Sequence, residues 1–130
     1  MIALKGFFRC YYPAIIWWTF VMILICTPGK DLPDLGSWTD LISLDKIIHV
    51  TIFGLMGYLF MRPFALNDLP SDYKKKHFLK LAMALSLWGL TTEFIQHFFI
   101  PGRSFDVYDF IADASGCFAA YVYCKNYLLK

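Results

Sequence analysis

EFIQHFFIPGRSFDVYDFIAD, residues Glu93 to Asp113, places four of the chain's ten acidic residues, an arginine and a histidine between two strongly apolar runs. Charge is most expensive in such surroundings. The 130-residue chain is 58% apolar and only 17% charged, against roughly half and a quarter in soluble proteins. One domain of this size could not bury so much apolar surface, so the excess is expected to face lipid or a partner. The net charge of +2 and the lack of a basic stripe with interleaved aromatics argue against nucleic acid. Cys10, Cys26, Cys117 and Cys124 show no metal or redox spacing and are expected to be small buried hydrophobes.

Hydropathy divides the chain into four spans, at about residues 11–27, 47–61, 78–100 and 107–124. The fold class expected is all-α, an integral membrane bundle of four transmembrane helices forming one domain over residues 1–130. In the first span Pro13 falls in the opening turn, where proline is tolerated. Lys5 and Arg9 ahead of this run would also suit a signal peptide. No A-x-A site follows, however, and Ile25 before Cys26 is too large for lipoprotein cleavage, so the run is expected to stay as a span. Arg62-Pro63 is read as the stop of the second span, and Pro101-Gly102 as that of the third. Tyr121, Tyr123 and Tyr127 suit an interfacial belt at the end of the fourth.

Four spans put both termini on one side, with nine of the twelve basic residues, leaving Lys30, Lys46 and Arg103 on the other. The positive-inside rule then makes both termini cytoplasmic and the protein a multi-pass inner-membrane one. Lys74, Lys75, Lys76 and His77 are expected in a solvated cytoplasmic loop. Trp38, Leu41 and Leu44 suit a segment lying on the outer surface.

This topology gathers three distant polar groups at the outer face: Asp45, Lys46 and His49; Glu93, Gln96 and His97; and Arg103, Asp106, Asp109 and Asp113. Asp45 and His49 share a helical face, as do Glu93, Gln96 and His97. Asp106, Asp109, Asp113, Gly116 and Ala120 form one stripe, polar above and small below, which should face the bundle. A carboxylate at mid-span costs about 2.5–3.5 kcal/mol on insertion scales and marks a functional candidate. Five acids against two fixed cations cannot all stay ionised in a low-dielectric pocket. Some are protonated, the histidines are charged, or a cation binds. No recognised zinc spacing occurs, so no metal or other cofactor is expected from motifs, although oxygen ligands with a histidine could hold a divalent cation.

The pieces DKIIH (Asp45 to His49), EFIQ (Glu93 to Gln96), PGRSFDVYD (Pro101 to Asp109) and the D-x-x-G of Asp113 and Gly116 resemble the VanZ-like family of small bacterial membrane proteins. The resemblance covers roughly Asp45 to Ala120. It implies a shared site of Asp45, Lys46, His49, Glu93, Gln96, Arg103, Asp106 and Asp109, in a family named for a member associated with glycopeptide resistance. Asp113 stands where the family usually has asparagine.

Two functions compete. In the first, an enzyme acts from the outer face on a lipid or lipid-linked envelope precursor. Glu93 and Asp109 would be acid and base and His49 their proton partner. Lys46 and Arg103 would hold an anionic head group, with Asp45, Gln96, Asp106 and Asp113 completing the binding surface. In the second, a non-catalytic envelope protein binds a lipid, a glycopeptide antibiotic or a partner protein, and the polar cluster is a binding surface or a helix fastener, with Arg103 paired to Asp109 or Glu93. Four short spans without a matched repeat leave little room for a transporter.

Overall fold

Among the described residues, four α-helices follow the four apolar runs: α1 (Leu4–Cys26), α2 (Leu44–Ala65), α3 (Ser71–Phe99) and α4 (Val107–Tyr123), the last continued by a π-helical turn, Cys124–Leu128. The computed structural model describes the backbone of residues 4–28, 44–103 and 105–129 and the side chains of 9–28, 46–103 and 105–129. The expected surface segment around Trp38 and Leu41, and the side chains of Leu44 and Asp45, lie outside the described residues.

Three helices, α1, α2 and α3, are long and apolar enough to cross a membrane. Their surfaces agree with a lipid environment. On α1, Ala14, Val21 and Ile25 are buried and Trp17 is half-buried, while Ile15, Ile16, Trp18, Phe20 and Ile23 on the other faces are exposed. So large an apolar surface would be a liability in water. The hydroxyls of Thr19, Thr27, Thr51, Ser86, Thr91, Thr92 and Ser115 all donate to carbonyls three or four residues back in their own helices. Helices can thereby carry hydroxyls through a medium that offers no hydrogen bonds.

The helix limits correct several expectations. Pro13 lies well inside α1 rather than in its first turn, and α2 runs through Arg62-Pro63 to Ala65. Proline removes one donor, Pro63's to the carbonyl of Leu59, but only one turn of helix follows it. Lys74 Nζ then donates to the Ala65 carbonyl, at 2.8 Å, and caps the α2 end. Lys74, Lys75, Lys76 and His77 belong to the opening turns of α3 rather than to a loop, because Pro70 starts the helix earlier than hydropathy alone suggests. His77 is half-buried, its ring stacked 3.7 Å from that of Phe64. Of the cysteines, Cys117 and Cys124 are buried as expected, whereas Cys10 and Cys26 are exposed.

The most extensive packing is between α2 and α4. Gly116 makes it possible. A Cβ there would sit 2.4 Å from the Val50 carbonyl oxygen and 2.8 Å from the Gly54 nitrogen, so only glycine allows the two backbones to approach. The helices alternate in direction, and the C-terminal ends of α1 and α3 meet the N-terminal ends of α2 and α4. Apolar clusters fill the middle and the other end. Val21, Ile25 and Met56 form one, and Phe53, Met61, Phe78, Cys117 and Cys124 belong to the other.

Candidate functional site

The inward stripe of α3 runs Phe78, Ala82, Ser86, Gly89, Glu93, Gln96, in steps of three and four, so the geometry that buries Phe78 also buries Glu93. On α4 the matching stripe is Asp109, Asp113, Gly116 and Ala120, all buried as its spacing predicts. The chain passes from α3 to α4 through Ile100-Pro101-Gly102-Arg103. The Arg103 N–H donates to the Ile100 carbonyl at 3.3 Å, and Gly102 adopts φ 77°. Proline followed by a glycine of positive φ is the type II turn pattern. Asp106 then caps α4, its Oδ1 accepting from the Tyr108 N–H at 2.8 Å.

Around this cap the polar groups converge. Lys46 Nζ pairs with Asp106 Oδ2 at 2.7 Å and with Asp109 Oδ1. The Lys46 hydrogen bond, foremost, and the cap to Tyr108 hold the Asp106 carboxyl below the usual aspartate range. His49 Nδ1 lies 2.7 Å from Asp113 Oδ1, and its Nε2 faces Asp109 Oδ2 at 3.7 Å. Glu93 Oε2 accepts from the Asp106 backbone N–H at 3.3 Å, while Oε1 is buried with no hydrogen-bond partner among the described residues. Exposure falls with depth. The side chains of Asp106 and Lys46 are 37% and 30% exposed, those of His49 and Asp109 18% and 13%, and Glu93 and Asp113 are fully buried.

Of the residues expected at the site, Lys46, His49, Glu93, Asp106, Asp109 and Asp113 meet in one network. Gln96 and Arg103 turn elsewhere. Gln96 Nε2 donates to the Ile25 carbonyl at 3.5 Å, and Arg103 donates to the carbonyls of Thr27 and Leu24, both at 3.4 Å. Neither Asp109 nor Glu93 is the partner of Arg103, which instead satisfies the last carbonyls of α1. His97, four residues after Glu93, does not join the network; it is exposed and packs against the Phe98 ring. One positioning residue escaped the sequence reading, Gly89, where a Cβ would meet the Asp113 Cβ at 2.9 Å and Oδ2 at 3.0 Å. Its place on the Ser86–Gly89–Glu93 stripe was the available signal.

A family model described as VanZ/LLP1 matches residues 5–130. The chain belongs to the VanZ/LLP1 family. No curated protein and no solved structure matches it. The VanZ/LLP1 match extends the Asp45–Ala120 resemblance to take in α1, the helix whose C-terminal carbonyls Gln96 and Arg103 hold. In this VanZ/LLP1 chain the network draws its residues from α2, α3, and α4 with its cap. It has a carboxylate-backed histidine, a buried glutamate and one lysine to offset its acids, a set able to move protons or hold a cation.

Proposed function

We propose that this VanZ/LLP1 protein is a four-span protein of the bacterial inner membrane that carries out acid–base chemistry on a lipid or lipid-linked envelope precursor at the outer face. The supporting observation is the fully buried Glu93 beside a histidine whose Nδ1 is held by Asp113. Counting the π-helical turn, the fourth helix runs from Val107 to Leu128, 17 + 5 residues. At 1.5 Å per residue that is about 33 Å, enough for a fourth span. Most of the lysines and arginines fall at the end away from the site, which supports cytoplasmic termini and an outer site.

In this reading His49 is the base, oriented by Asp113, and Glu93 is the acid. Lys46, partly exposed and cationic, meets an anionic head group first. Asp109 steadies Lys46 and faces the histidine. The roles differ from those expected of Asp109 and Arg103 because both side chains already have structural partners. The test compares lipid and precursor composition of membranes from cells carrying wild type, Glu93→Gln or His49→Gln, each shown to be inserted and folded. A changed composition is expected for both variants; compositions identical to wild type reject the enzyme.

One observation favours a second reading, a non-catalytic envelope protein that binds a lipid, a glycopeptide or a partner protein. Gln96 and Arg103, both expected to contact a ligand, fasten α1 instead. A glycopeptide-resistance phenotype unaffected by Glu93→Gln and His49→Gln would favour it.

A further inference from the structure

We propose that His49, Glu93 and Asp109 bind a divalent first-row transition-metal ion, with Asp113 as the residue that positions the histidine. One ligand atom from each of the three lies within 4.8 Å of the others. His49 Nε2 and Asp109 Oδ2 are already 3.7 Å apart. Ligands 2.0–2.2 Å from a tetrahedral ion stand about 3.4 Å from one another, so a pair at the 4.8 Å limit of the set needs to close by about 1.4 Å.

Each of the three residues is also held by a hydrogen bond or ion pair that fixes its orientation. The second nitrogen of His49 is on Asp113 Oδ1, as in the carboxylate–histidine–metal arrangement that orients an imidazole ligand. The second oxygen of Asp109 is on Lys46 Nζ. The second oxygen of Glu93 takes the Asp106 N–H, leaving Oε1 buried and unmatched among the described residues. An unmatched carboxylate oxygen with no exposed surface is costly unless something positive reaches it. Charge supports the same conclusion. Among the described residues, Glu93, Asp106, Asp109 and Asp113 share the ammonium of Lys46, while Arg103 is turned to α1. A dication would offset two of their negative charges.

An imidazole with two carboxylates suits zinc, iron or manganese rather than calcium or magnesium, which prefer all-oxygen shells. Three protein ligands leave a position for water or a substrate oxygen, as in catalytic zinc sites. With an ion bound, His49 and Glu93 are ligands rather than base and acid; the titration needs no substrate, so its outcome is separable from that of the proposed enzyme.

Full-length protein in detergent, stripped with a chelator, is titrated with zinc chloride and separately with manganese chloride. Calorimetry and the unfolding temperature are followed. Wild type is expected to take up one ion per chain with a rise in unfolding temperature. Glu93→Gln and Asp109→Asn should lose both responses, and Asp113→Ala should weaken binding about 10–100-fold through the histidine's orientation. If Glu93→Gln does not fold, Asp109→Asn carries the test. His97→Gln, outside the site, should bind as wild type does. No stoichiometric binding by wild type, or binding kept at wild-type strength in the folded ligand variants, would overturn the proposal.

Discussion

His49 Nδ1 and Asp113 Oδ1 lie 2.7 Å apart across the α2–α4 packing, where the aspartate is fully buried. This pair sets which imidazole nitrogen faces the interior of the cluster. Asparagine at 113 would keep an acceptor at the same place. Asp113→Asn should unfold within about 0.5 kcal/mol of wild type. Asp113→Ala strands a largely buried ring nitrogen and should lose about 1–3 kcal/mol. Chemical denaturation in a mild detergent distinguishes the two.

Lys46 and Asp106 make stability depend on pH in a known direction. The Asp106 carboxyl titrates lower in the folded protein than in the unfolded chain, principally because of Lys46. In the window between those two values the unfolded chain binds more protons. The contribution is therefore complete above the ordinary aspartate range and is lost as pH falls through the depressed value. Asparagine caps a helix as well as aspartate does, so Asp106→Asn retains the cap and removes only the charge. Unfolding temperatures measured from pH 6 down to pH 2 should fall less steeply for Asp106→Asn than for wild type.

Gly116 and Gly54 face one another yet should respond oppositely to alanine. At Gly116 the added carbon meets backbone of α2, which cannot step aside. Gly116→Ala should lose about 1–3 kcal/mol or more and reduce the yield of folded protein. At Gly54 the nearest atom is 3.5 Å from the added carbon, an ordinary contact. Gly54→Ala should be neutral or stabilise by up to about 1 kcal/mol through helix propensity. Thermal unfolding of the two purified variants is the check.

Arg103 should matter to α1 more than to ligand recognition. Arg103→Met removes the donors to Leu24 and Thr27, a loss of about 1–2 kcal/mol. Hydrogen exchange should speed up in the last turns of α1 while the Lys46–Asp109 end of the cluster keeps its protection. Unchanged exchange in α1 would contradict the capping role.

Much of this was legible along the chain. The existence of four helices, their order, and the inward stripes of α3 and α4 follow from run lengths and from spacing by three and four. The Pro101-Gly102 turn and the cap at Asp106 are local as well. Helix ends were less legible. Pro63 looks like a stop, but a single turn after a proline survives when Lys74, nine residues on, satisfies the carbonyl of Ala65. His77 reads as solvated because nothing nearby in sequence says that Phe64 will lie beneath it.

The sequence by itself determined that Lys46, His49, Glu93 and the three aspartates would meet at one end, because hydropathy and the 1.5 Å rise place each on its helix. Only the tertiary structure decided which of them pair. Lys46 and Arg103 carry the same charge at the same end, yet one meets the carboxylates and the other the end of α1. His49 enters the cluster and His97 does not. Such choices depend on how each helix is rotated about its axis and how closely it approaches its neighbour. That rotation and approach are set by contacts such as Gly116 on Val50, between residues more than sixty positions apart.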